Sequence, residues 1–332
     1  MLSLHVNESP FDPAPGVQAA LLSAVRGLRE YPDPTAISLR EALARHHDVD
    51  PSCILVGAGG DGILDAVFRT FSGPDQLVLL TDPTYGVLGD LCLHYGAPVI
   101  TTAWPDVSVS SGLQASLICI VNPNSPTGEW VPPRELERLL PDGGAIVVVD
   151  EAYAPFAGES VIPLLSGHPR WVVVRSFSKA YALAGLRVGY MVASPEIVKE
   201  VQRAQLPYPV SSVALAAAEA ALADSEYLTR LVEHVRVERR YLESSLSAIG
   251  WDPGRSEGNF VFARPRAGAA ADWKRFFWDS GIAVRWFPDI DPERLRITVS
   301  TRESSDRVLN AAASGFVAAV QDDGCVASHC RQ

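Results

Sequence analysis

Trp171-Val172-Val173-Val174-Arg175-Ser176-Phe177-Ser178-Lys179 is an apolar run that leads to a lysine, and Ala145-Ile146-Val147-Val148-Val149-Asp150 is an earlier one that ends in an aspartate. Both apolar runs are short and rich in β-branched residues, which predicts two buried parallel strands. Ligands of open α/β sheets bind beyond the carboxyl ends of the strands. We therefore expect Asp150 and Lys179 to flank one ligand.

A lysine amine opposite a carboxylate indicates a particular cofactor. Pyridoxal phosphate needs an amine that forms a Schiff base with its aldehyde, and an acid that keeps its ring nitrogen protonated. The sequence therefore predicts pyridoxal 5'-phosphate as the cofactor, with Lys179 and Asp150 as its main partners.

The rest of the chain predicts a fold of two parts. Further apolar runs at residues 53–56, 77–80, 117–121 and 188–192 alternate with turns and helical patterns, which predicts an α/β domain with a mostly parallel central sheet. After Pro207-Tyr208-Pro209 the pattern changes to long helices and later strands. We predict a large cofactor-binding domain at residues 31–210 and a smaller α+β domain at residues 1–30 and 211–322. Residues 323–332 are predicted to be a flexible tail.

Composition limits the possible partners. The 332-residue chain is 47% hydrophobic and has a formal net charge of −11, which argues against nucleic acid and anionic membranes as partners. No apolar stretch approaches the ~20 residues of a membrane-spanning helix, and the N-terminus lacks a secretory signal pattern. With five scattered cysteines, these features predict a cytoplasmic protein. Cys325, His329 and Cys330 are an incomplete ligand set for structural zinc, so we predict no metal site.

Several polar clusters that follow apolar runs are candidates for binding a phosphate group. Gly60 and Asp61 open a predicted helix, where glycine permits close backbone approach and the helix N-terminus favours an anion. The alternative is an ordinary turn. Ser176, Ser178 and Arg187 would complete a phosphate site, while the alternative is a helix-capping serine and a surface arginine.

Two tyrosines and two arginines are further candidates. Tyr85 follows a proline turn and could stack on a planar ring, and the alternative is an ordinary tyrosine at such a turn. Tyr153 could hydrogen-bond a phenolate oxygen of the cofactor, and the alternative is an ordinary half-buried tyrosine. Arg296 lies in an apolar strand, where arginine is rarely buried without an anionic partner. With Arg285 it could grip a substrate carboxylate or phosphate, and the alternative is an internal ion pair.

These motifs together resemble fold-type I pyridoxal-phosphate enzymes of the class I/II aminotransferase group, most closely histidinol-phosphate aminotransferases. The similarity extends over nearly the whole chain, and the motifs come in family order. The matching segments are Asn7-Glu8-Ser9-Pro10, Tyr31-Pro32-Asp33, Gly59-Gly60-Asp61, Asp82-Pro83-Thr84-Tyr85, residues 122–128, Val149-Asp150-Glu151-Ala152-Tyr153, residues 175–189 and Arg296-Ile297-Thr298-Val299.

The resemblance implies an aspartate-aminotransferase-like α/β fold and roles for the catalytic residues. Lys179 would carry the cofactor as a Schiff base and then act as general base and acid. Asp150 would pair with the ring nitrogen, Tyr85 would stack on the ring, and Tyr153 would contact its phenolate oxygen.

The resemblance also implies how both anions are held. Tyr31 would reach the cofactor phosphate of a neighbouring subunit, which implies a homodimer with shared active sites. Arg296, with Arg285, would grip the substrate anion. The cofactor phosphate would be held by Gly60, Asp61, Ser176, Ser178 and Arg187.

Three departures from the family pattern bear on the substrate. Ser125 stands where the family usually has an asparagine that bonds the phenolate oxygen, and Asn124 is an alternative partner for that oxygen. Gly62 stands where an acidic residue often follows Asp61. The N-terminal arm that often covers the active site is expected to be nearly absent.

The leading hypothesis is an aminotransferase that moves an amino group from an anionic amine or amino acid to a 2-oxo acid such as 2-oxoglutarate, as in amino-acid biosynthesis. One alternative is a decarboxylase resembling threonine-phosphate decarboxylases, and another is an aminotransferase of specialised metabolism. A third is a ligand sensor or scaffold on the same fold, against which Lys179 and Asp150 argue.

Overall fold

The structure is a computed structural model that describes residues 1–107, 114–140 and 143–326, with backbone alone from residue 316 onward. The C-terminal Cys/His residues discussed above therefore lie outside the described side chains. No helix in the described ranges is both long and apolar enough to cross a membrane.

A seven-stranded sheet forms the centre of the larger part of the molecule, and its order is β2-β8-β7-β6-β5-β3-β4. The strands are β2 (Ile54–Gly57), β3 (Val78–Asp82), β4 (Val99–Ala103), β5 (Leu117–Val121), β6 (Ile146–Asp150), β7 (Trp171–Ser176) and β8 (Gly189–Ala193). Strand β8 runs antiparallel to both neighbours, and the other pairs are parallel. The predicted α/β class with a mostly parallel sheet is confirmed.

Apolar residues on both faces of this sheet are covered by helices, as expected of a parallel sheet. Helices α3, α4 and α7 pack on one face, and α1, α2 and α8 pack on the other. The helices of the chain are α1 (Pro15–Ala24), α2 (Ile37–His47), α3 (Gly59–Phe71), α4 (Val87–Tyr95), α5 (Pro133–Leu139), α6 (Ala154–Ala157), α7 (Pro195–Ala204), α8 (Ser212–Ala223), α9 (Ser225–Ala248), α10 (Ala270–Asp279) and α11 (Arg302–Val326).

A four-stranded sheet forms the smaller part, in the order β1-β10-β11-β9. Its strands are β1 (Leu2–Leu4), β9 (Phe260–Ala263), β10 (Ile282–Phe287) and β11 (Asp291–Thr298). Strand β1 pairs in parallel with β10, and the other pairs are antiparallel. Helices α9, α10 and α11 supply apolar residues to the core of this part. The pairing of β1 fixes the start of the chain and directs residues 5–8 toward the larger sheet.

The packing of two helices differs from the predicted division of the chain. Helices α1 and α8 belong to the core of the seven-stranded sheet, although their sequence positions had placed them in the smaller domain. Helix α11 also continues past residue 323, where the tail was predicted to begin. A helix packs on the sheet whose apolar surface its own apolar side chains can reach. The position of the helix in the sequence alone does not determine which sheet that is. The domain boundaries as a whole stay a prediction.

Candidate active site

A cavity of about 610 Å³ lies at the carboxyl ends of the parallel strands and is lined by residues of both sheets. It brings together most of the residues predicted from the sequence. Those that line it are Gly60, Asp61, Tyr85, Ser125, Asp150, Tyr153, Ser176, Ser178, Lys179, Arg187, Arg285 and Arg296. Asn124 and Tyr31 are not among the lining residues of this chain.

Lys179 projects into the cavity from the loop that follows β7. The backbone of this loop is held by hydrogen bonds from Phe177 N–H to Val188 O at 3.0 Å and from Leu183 N–H to Phe177 O at 3.1 Å. Lys179 Nζ donates a hydrogen bond of 2.9 Å to Val6 O, and it lies 6.0 Å from the centre of the Tyr153 ring. The amine is therefore fixed at the junction of the large sheet and the N-terminal segment.

Asp150 is the last residue of β6 and pairs in register with Val174 of β7. Burial raises the pKa of its carboxyl from 3.8 to about 7, the Ala152 N–H lowers it through a 2.9 Å hydrogen bond, and the nearby Asp61 and Glu151 raise it. With a pKa near neutral pH, this carboxyl can be protonated or ionised, and the charge of a group bound next to it decides which form predominates. A cationic ring nitrogen would favour the ionised form, which is the partner that pyridoxal phosphate requires.

Glycines give the start of α3 the shape of an anion site. Gly59 has a φ of +78°, and a Cβ there would lie 2.8 Å from the Arg187 guanidinium. A Cβ on Gly189 would lie 2.4 to 2.5 Å from the backbone of Gly59 and Gly60. The first N–H groups of a helix lack intrahelical partners and attract anions. Strand β8 and helix α3 can approach this closely because Gly189 has no side chain, and the positive φ of Gly59 is one that glycine adopts readily.

Arg187 lies over this helix start and is held by two side chains. Its Nη2 lies 2.8 Å from Asp61 Oδ2, and its Nη1 donates a hydrogen bond of 3.3 Å to Ser178 Oγ. The Asp61 carboxylate also accepts a hydrogen bond of 3.1 Å from the Tyr85 hydroxyl. Asp61 is thus placed to offer a phosphate its backbone N–H, since its carboxylate is engaged in orienting Arg187 and Tyr85.

Asn124 and Ser125 differ in what they contact. Asn124 is fully buried, and its amide donates to Pro83 O at 3.0 Å and to Thr127 Oγ1 at 3.1 Å, so it holds the loop together. Ser125 lines the cavity, and its hydroxyl accepts a hydrogen bond from Arg296. Of the two candidates for a cofactor oxygen, Ser125 is the one that the cavity exposes.

Arg296 is buried beside the cavity without an acidic partner. Its guanidinium donates to Ser125 Oγ at 3.1 Å and to His5 O at 3.2 Å, and Nε has no hydrogen-bond partner. Burial lowers the pKa of this guanidinium, and the nearby Arg285 lowers it too. Within the described ranges, neither arginine forms an ion pair with a carboxylate, which removes the alternative of an internal ion pair. Two cations at the cavity wall that form no ion pair within the described ranges are suited to a substrate anion.

The N-terminal segment His5-Val6-Asn7-Glu8 is a part of the site that sequence reasoning missed. Three of these four residues line the cavity, and the fourth, Asn7, is buried behind it. Asn7 Nδ2 donates a hydrogen bond of 2.9 Å to the Tyr153 hydroxyl. The match of Asn7-Glu8-Ser9-Pro10 to the family pattern was the available signal, but it gave no indication of the contacts.

The residues of the cavity fit pyridoxal phosphate. An amine and a buried carboxyl face one space, a helix start with Arg187 and two serines is shaped for its phosphate, and Tyr85 stands at the wall. Asp150, Tyr85, Ser176, Ser178, Lys179 and Arg187 could hold the cofactor.

Comparison with known proteins identifies the family of the chain. The family model described as "Aminotransferase class I and II" matches residues 1–311. Histidinol-phosphate aminotransferase 1 of Bradyrhizobium diazoefficiens is 36% identical over 93% of this chain and 91% of its own length.

Two solved structures are also similar. The histidinol-phosphate aminotransferase of Sinorhizobium meliloti, solved in complex with pyridoxal-5'-phosphate, has a TM-score of 0.86 and 28% identity, over 94% of this chain and 90% of its own. The L-threonine-O-3-phosphate decarboxylase of Porphyromonas gingivalis has a TM-score of 0.86 and 25% identity, over 95% of this chain and 99% of its own.

Proposed function

The chain belongs to the class I and II aminotransferases, a pyridoxal-phosphate-dependent family, and we propose that it transfers the amino group of histidinol phosphate, or of a similar anionic amine or amino acid, to a 2-oxo acid such as 2-oxoglutarate. The observation that carries the proposed substrate class is the buried Arg296. It faces the cavity of Lys179 and Asp150 beside Arg285, and among the described residues no carboxylate forms an ion pair with it. The same chemistry serves amino-acid biosynthesis, to which we assign the enzyme.

Lys179 and Asp150 are proposed to have separate chemical roles in such a transfer. Bound pyridoxal phosphate supplies an electron sink for the bond broken at the substrate Cα. With the cofactor bound, Lys179 Nζ would serve as the general base that accepts the proton of the substrate Cα and then as the general acid that donates it. Asp150 would hold the ring nitrogen of the cofactor and, in its ionised form, would stabilise the positive charge there.

The arginines set the orientation of the substrate. A phosphate or carboxylate held by Arg296 and Arg285 can receive two or more charge-assisted hydrogen bonds. With one end of the substrate fixed there, its amino-bearing carbon is directed toward Lys179, and proximity lowers the barrier to proton transfer. Tyr153 and Ser125 are proposed to contact the phenolate oxygen of the cofactor, and the start of α3, with Ser176, Ser178 and Arg187, to hold its phosphate.

The active unit is proposed to be a homodimer with shared active sites. Tyr31 is 82% exposed, and its ring is stacked on Tyr208 with 4.8 Å between ring centres. Leu22, Val25 and Leu28 expose their apolar side chains just before it in the chain. Several large apolar side chains exposed within one short stretch of chain favour a protein partner. We infer that a second copy covers it and that Tyr31 reaches the cofactor phosphate of that copy.

A decarboxylase remains a second candidate because of the similarity to the threonine-phosphate decarboxylase. That enzyme's substrate is also a phosphorylated amine, so the arginines suit both reactions. The two differ in which bond at Cα stands perpendicular to the cofactor ring. We favour transamination, because the more similar relatives are aminotransferases. We also propose a cytoplasmic location for the enzyme.

A half-reaction assay tests the proposal. Purified enzyme loaded with pyridoxal phosphate is mixed with histidinol phosphate in the absence of an acceptor, and the visible absorbance of the cofactor is followed. We expect this absorbance to fall and to return when 2-oxoglutarate is added. Threonine phosphate provides the comparison, since release of carbon dioxide from it would support the decarboxylase. An unchanged spectrum with every anionic amine tested would contradict the proposed substrate class.

A further inference from the structure

Asn7 is a buried residue that connects the N-terminal segment, the small sheet and a tyrosine of the active site. It is only 1% exposed, and its φ of +56° lies in the left-handed region. Its backbone carbonyl accepts a hydrogen bond of 3.1 Å from Asn259 Nδ2. A buried, strained residue with several partners is held in one orientation by its surroundings.

The partners of Asn7 determine which end of its amide faces which neighbour. The backbone N–H of Asn7 donates to Thr298 Oγ1 at 3.1 Å, so the hydroxyl oxygen is an acceptor there. The hydroxyl proton of Thr298 then has Asn7 Oδ1, also at 3.1 Å, as its acceptor. This places Oδ1 toward Thr298 and leaves Nδ2, which can only donate, facing the Tyr153 hydroxyl at 2.9 Å.

The direction of this last hydrogen bond matters for Tyr153. A hydroxyl that accepts from an amide keeps its own proton free for another acceptor. Tyr153 lines the cavity beside Lys179, so the space available for that acceptor is the cofactor space. Hydrogen bonds thus link Thr298 to Asn7 and Asn7 to Tyr153, and we call this chain of hydrogen bonds the relay.

We propose that Asn7, oriented by Thr298, is a positioning residue that makes Tyr153 a hydrogen-bond donor to the phenolate oxygen of bound pyridoxal phosphate. The inference rests on the proposed contact between Tyr153 and that oxygen. A reversed amide would instead take the Tyr153 proton and leave the phenolate without a donor from this side.

The consequence appears in the titration of the bound cofactor. The titrating proton lies on the nitrogen that joins Lys179 to the cofactor, close to the negative phenolate oxygen. A hydrogen bond donated to this oxygen withdraws part of its charge, so it lowers the pKa of the nitrogen. Loss of the donated bond should therefore raise the spectroscopic pKa, by about one unit for a hydrogen bond to a charged group.

The test is a pH titration of the visible absorbance of the loaded enzyme, without substrate. In Asn7→Asp the carboxylate competes for the Tyr153 proton, and we expect the spectroscopic pKa to rise by about one unit. Thr298→Val removes the anchor of the amide without adding charge, and it should raise the spectroscopic pKa in the same direction. Thr298→Ser keeps the hydroxyl and should titrate like the wild type.

A double variant separates the relay from a direct charge effect. If Asn7 acts through Tyr153, Asn7→Asp should add no further shift in a Tyr153→Phe background. The other charged or titratable groups at this cavity are unchanged in every variant: His5, Glu8, Asp61, Tyr85, Asp90, Asp150, Arg187, Arg285 and Arg296. An equal shift in the presence and absence of the Tyr153 hydroxyl would overturn the inference.

Other outcomes are equally decisive. A wild-type spectroscopic pKa in Thr298→Val would overturn the inference even if Asn7→Asp failed to fold. The readout needs only bound cofactor, so an error in the proposed substrate would leave it intact. A wild-type protein that binds no cofactor would instead refute the proposed function itself.

Discussion

The Arg296 guanidinium donates a hydrogen bond of 3.1 Å to the Ser125 hydroxyl, joining the small sheet to the loop that follows β5 of the large sheet. The contact is buried, and it links the proposed grip on the substrate anion to a residue proposed to touch the cofactor. Ser125, which departs from the usual asparagine, is therefore still connected to the arginine. The two halves of the site are coupled through this bond.

Arg296→Ala should mainly weaken the capture of anionic substrates. The loss of two charge-assisted hydrogen bonds predicts a rise in KM of about 100-fold for a phosphorylated donor. Arg294→Ala is a matched control, since Arg294 lies in the same strand but is paired with Asp252 and Asp291, none of which lines the cavity. The measurement is the KM of both variants for the phosphorylated donor in steady-state kinetics. An unchanged KM in Arg296→Ala would show that Arg296 does not bind the substrate anion.

The stability of the cofactor-free protein should fall as pH rises from about 4 to about 7 through Asp150. Burial raises the folded-state pKa of Asp150 from 3.8 to about 7, so in this window the folded protein keeps a proton that the unfolded chain has lost. The unfolding free energy therefore decreases by up to about 4 kcal/mol as pH rises.

Asp150→Asn removes this titration, so its unfolding free energy should depend less on pH. Urea denaturation at pH 5 and pH 8 compares the two proteins. Burial also raises the pKa of Glu151, which is present in both proteins, so the difference between them reports Asp150 and its coupling to Glu151. The same pH dependence in the variant as in the wild type would show that Asp150 is not buried as described.

Gly189→Ala should weaken cofactor binding by displacing the start of α3. The added methyl would lie 2.4 Å from Gly59 C, and overpacking of this kind costs about 1–3 kcal/mol. We expect the dissociation constant of pyridoxal phosphate to rise at least about tenfold. Gly185→Ala, at a position with nothing within 4 Å, is the control and should bind normally. Equal affinities in the two variants would argue against the anion site at this helix.

Mixed dimers test whether Tyr31 completes the site of a partner subunit. Tyr31→Ala homodimers should bind cofactor weakly, and Lys179→Ala homodimers should be inactive. A heterodimer of the two has one site with an intact Lys179 and an intact Tyr31 from the other subunit. Mixing the purified variants under subunit exchange should therefore restore up to about half of the wild-type activity per heterodimer formed. No recovery, with heterodimers shown to form, would place Tyr31 outside the active site.

Much of the large sheet could be predicted because buried parallel strands leave a plain signal in the sequence. The run at residues 117–121 coincides with β5, and the runs before Asp150 and Lys179 are β6 and β7. Strand direction is a different matter. Apolar runs of parallel and antiparallel central strands look alike, and the antiparallel setting of β8 emerges only from its pairing.

Site residues that directly follow a predicted strand could be predicted from the sequence. Contacts between residues that are far apart in the sequence could not. Asp150, Ser176 and Lys179 are placed by their own strands. The contacts of Asn7 with Tyr153 and Thr298 join residues that are 146 and 291 positions apart, and no local pattern encodes them. Arg175 forms an ion pair of 3.1 Å with Glu151, which joins the ends of β7 and β6. The motif that contains Arg175 did not predict this ion pair either.

The attachment of pyridoxal phosphate to Lys179 can be measured directly by borohydride reduction and peptide mapping. The chain has two other lysines, Lys199 and Lys274, which serve as internal controls for nonspecific labelling. We predict that the loaded protein absorbs in the visible, that reduction bleaches it, and that the label is recovered on Lys179 alone. Label on Lys199 or Lys274, or a Lys179→Ala protein that colours and labels like the wild type, would contradict the account.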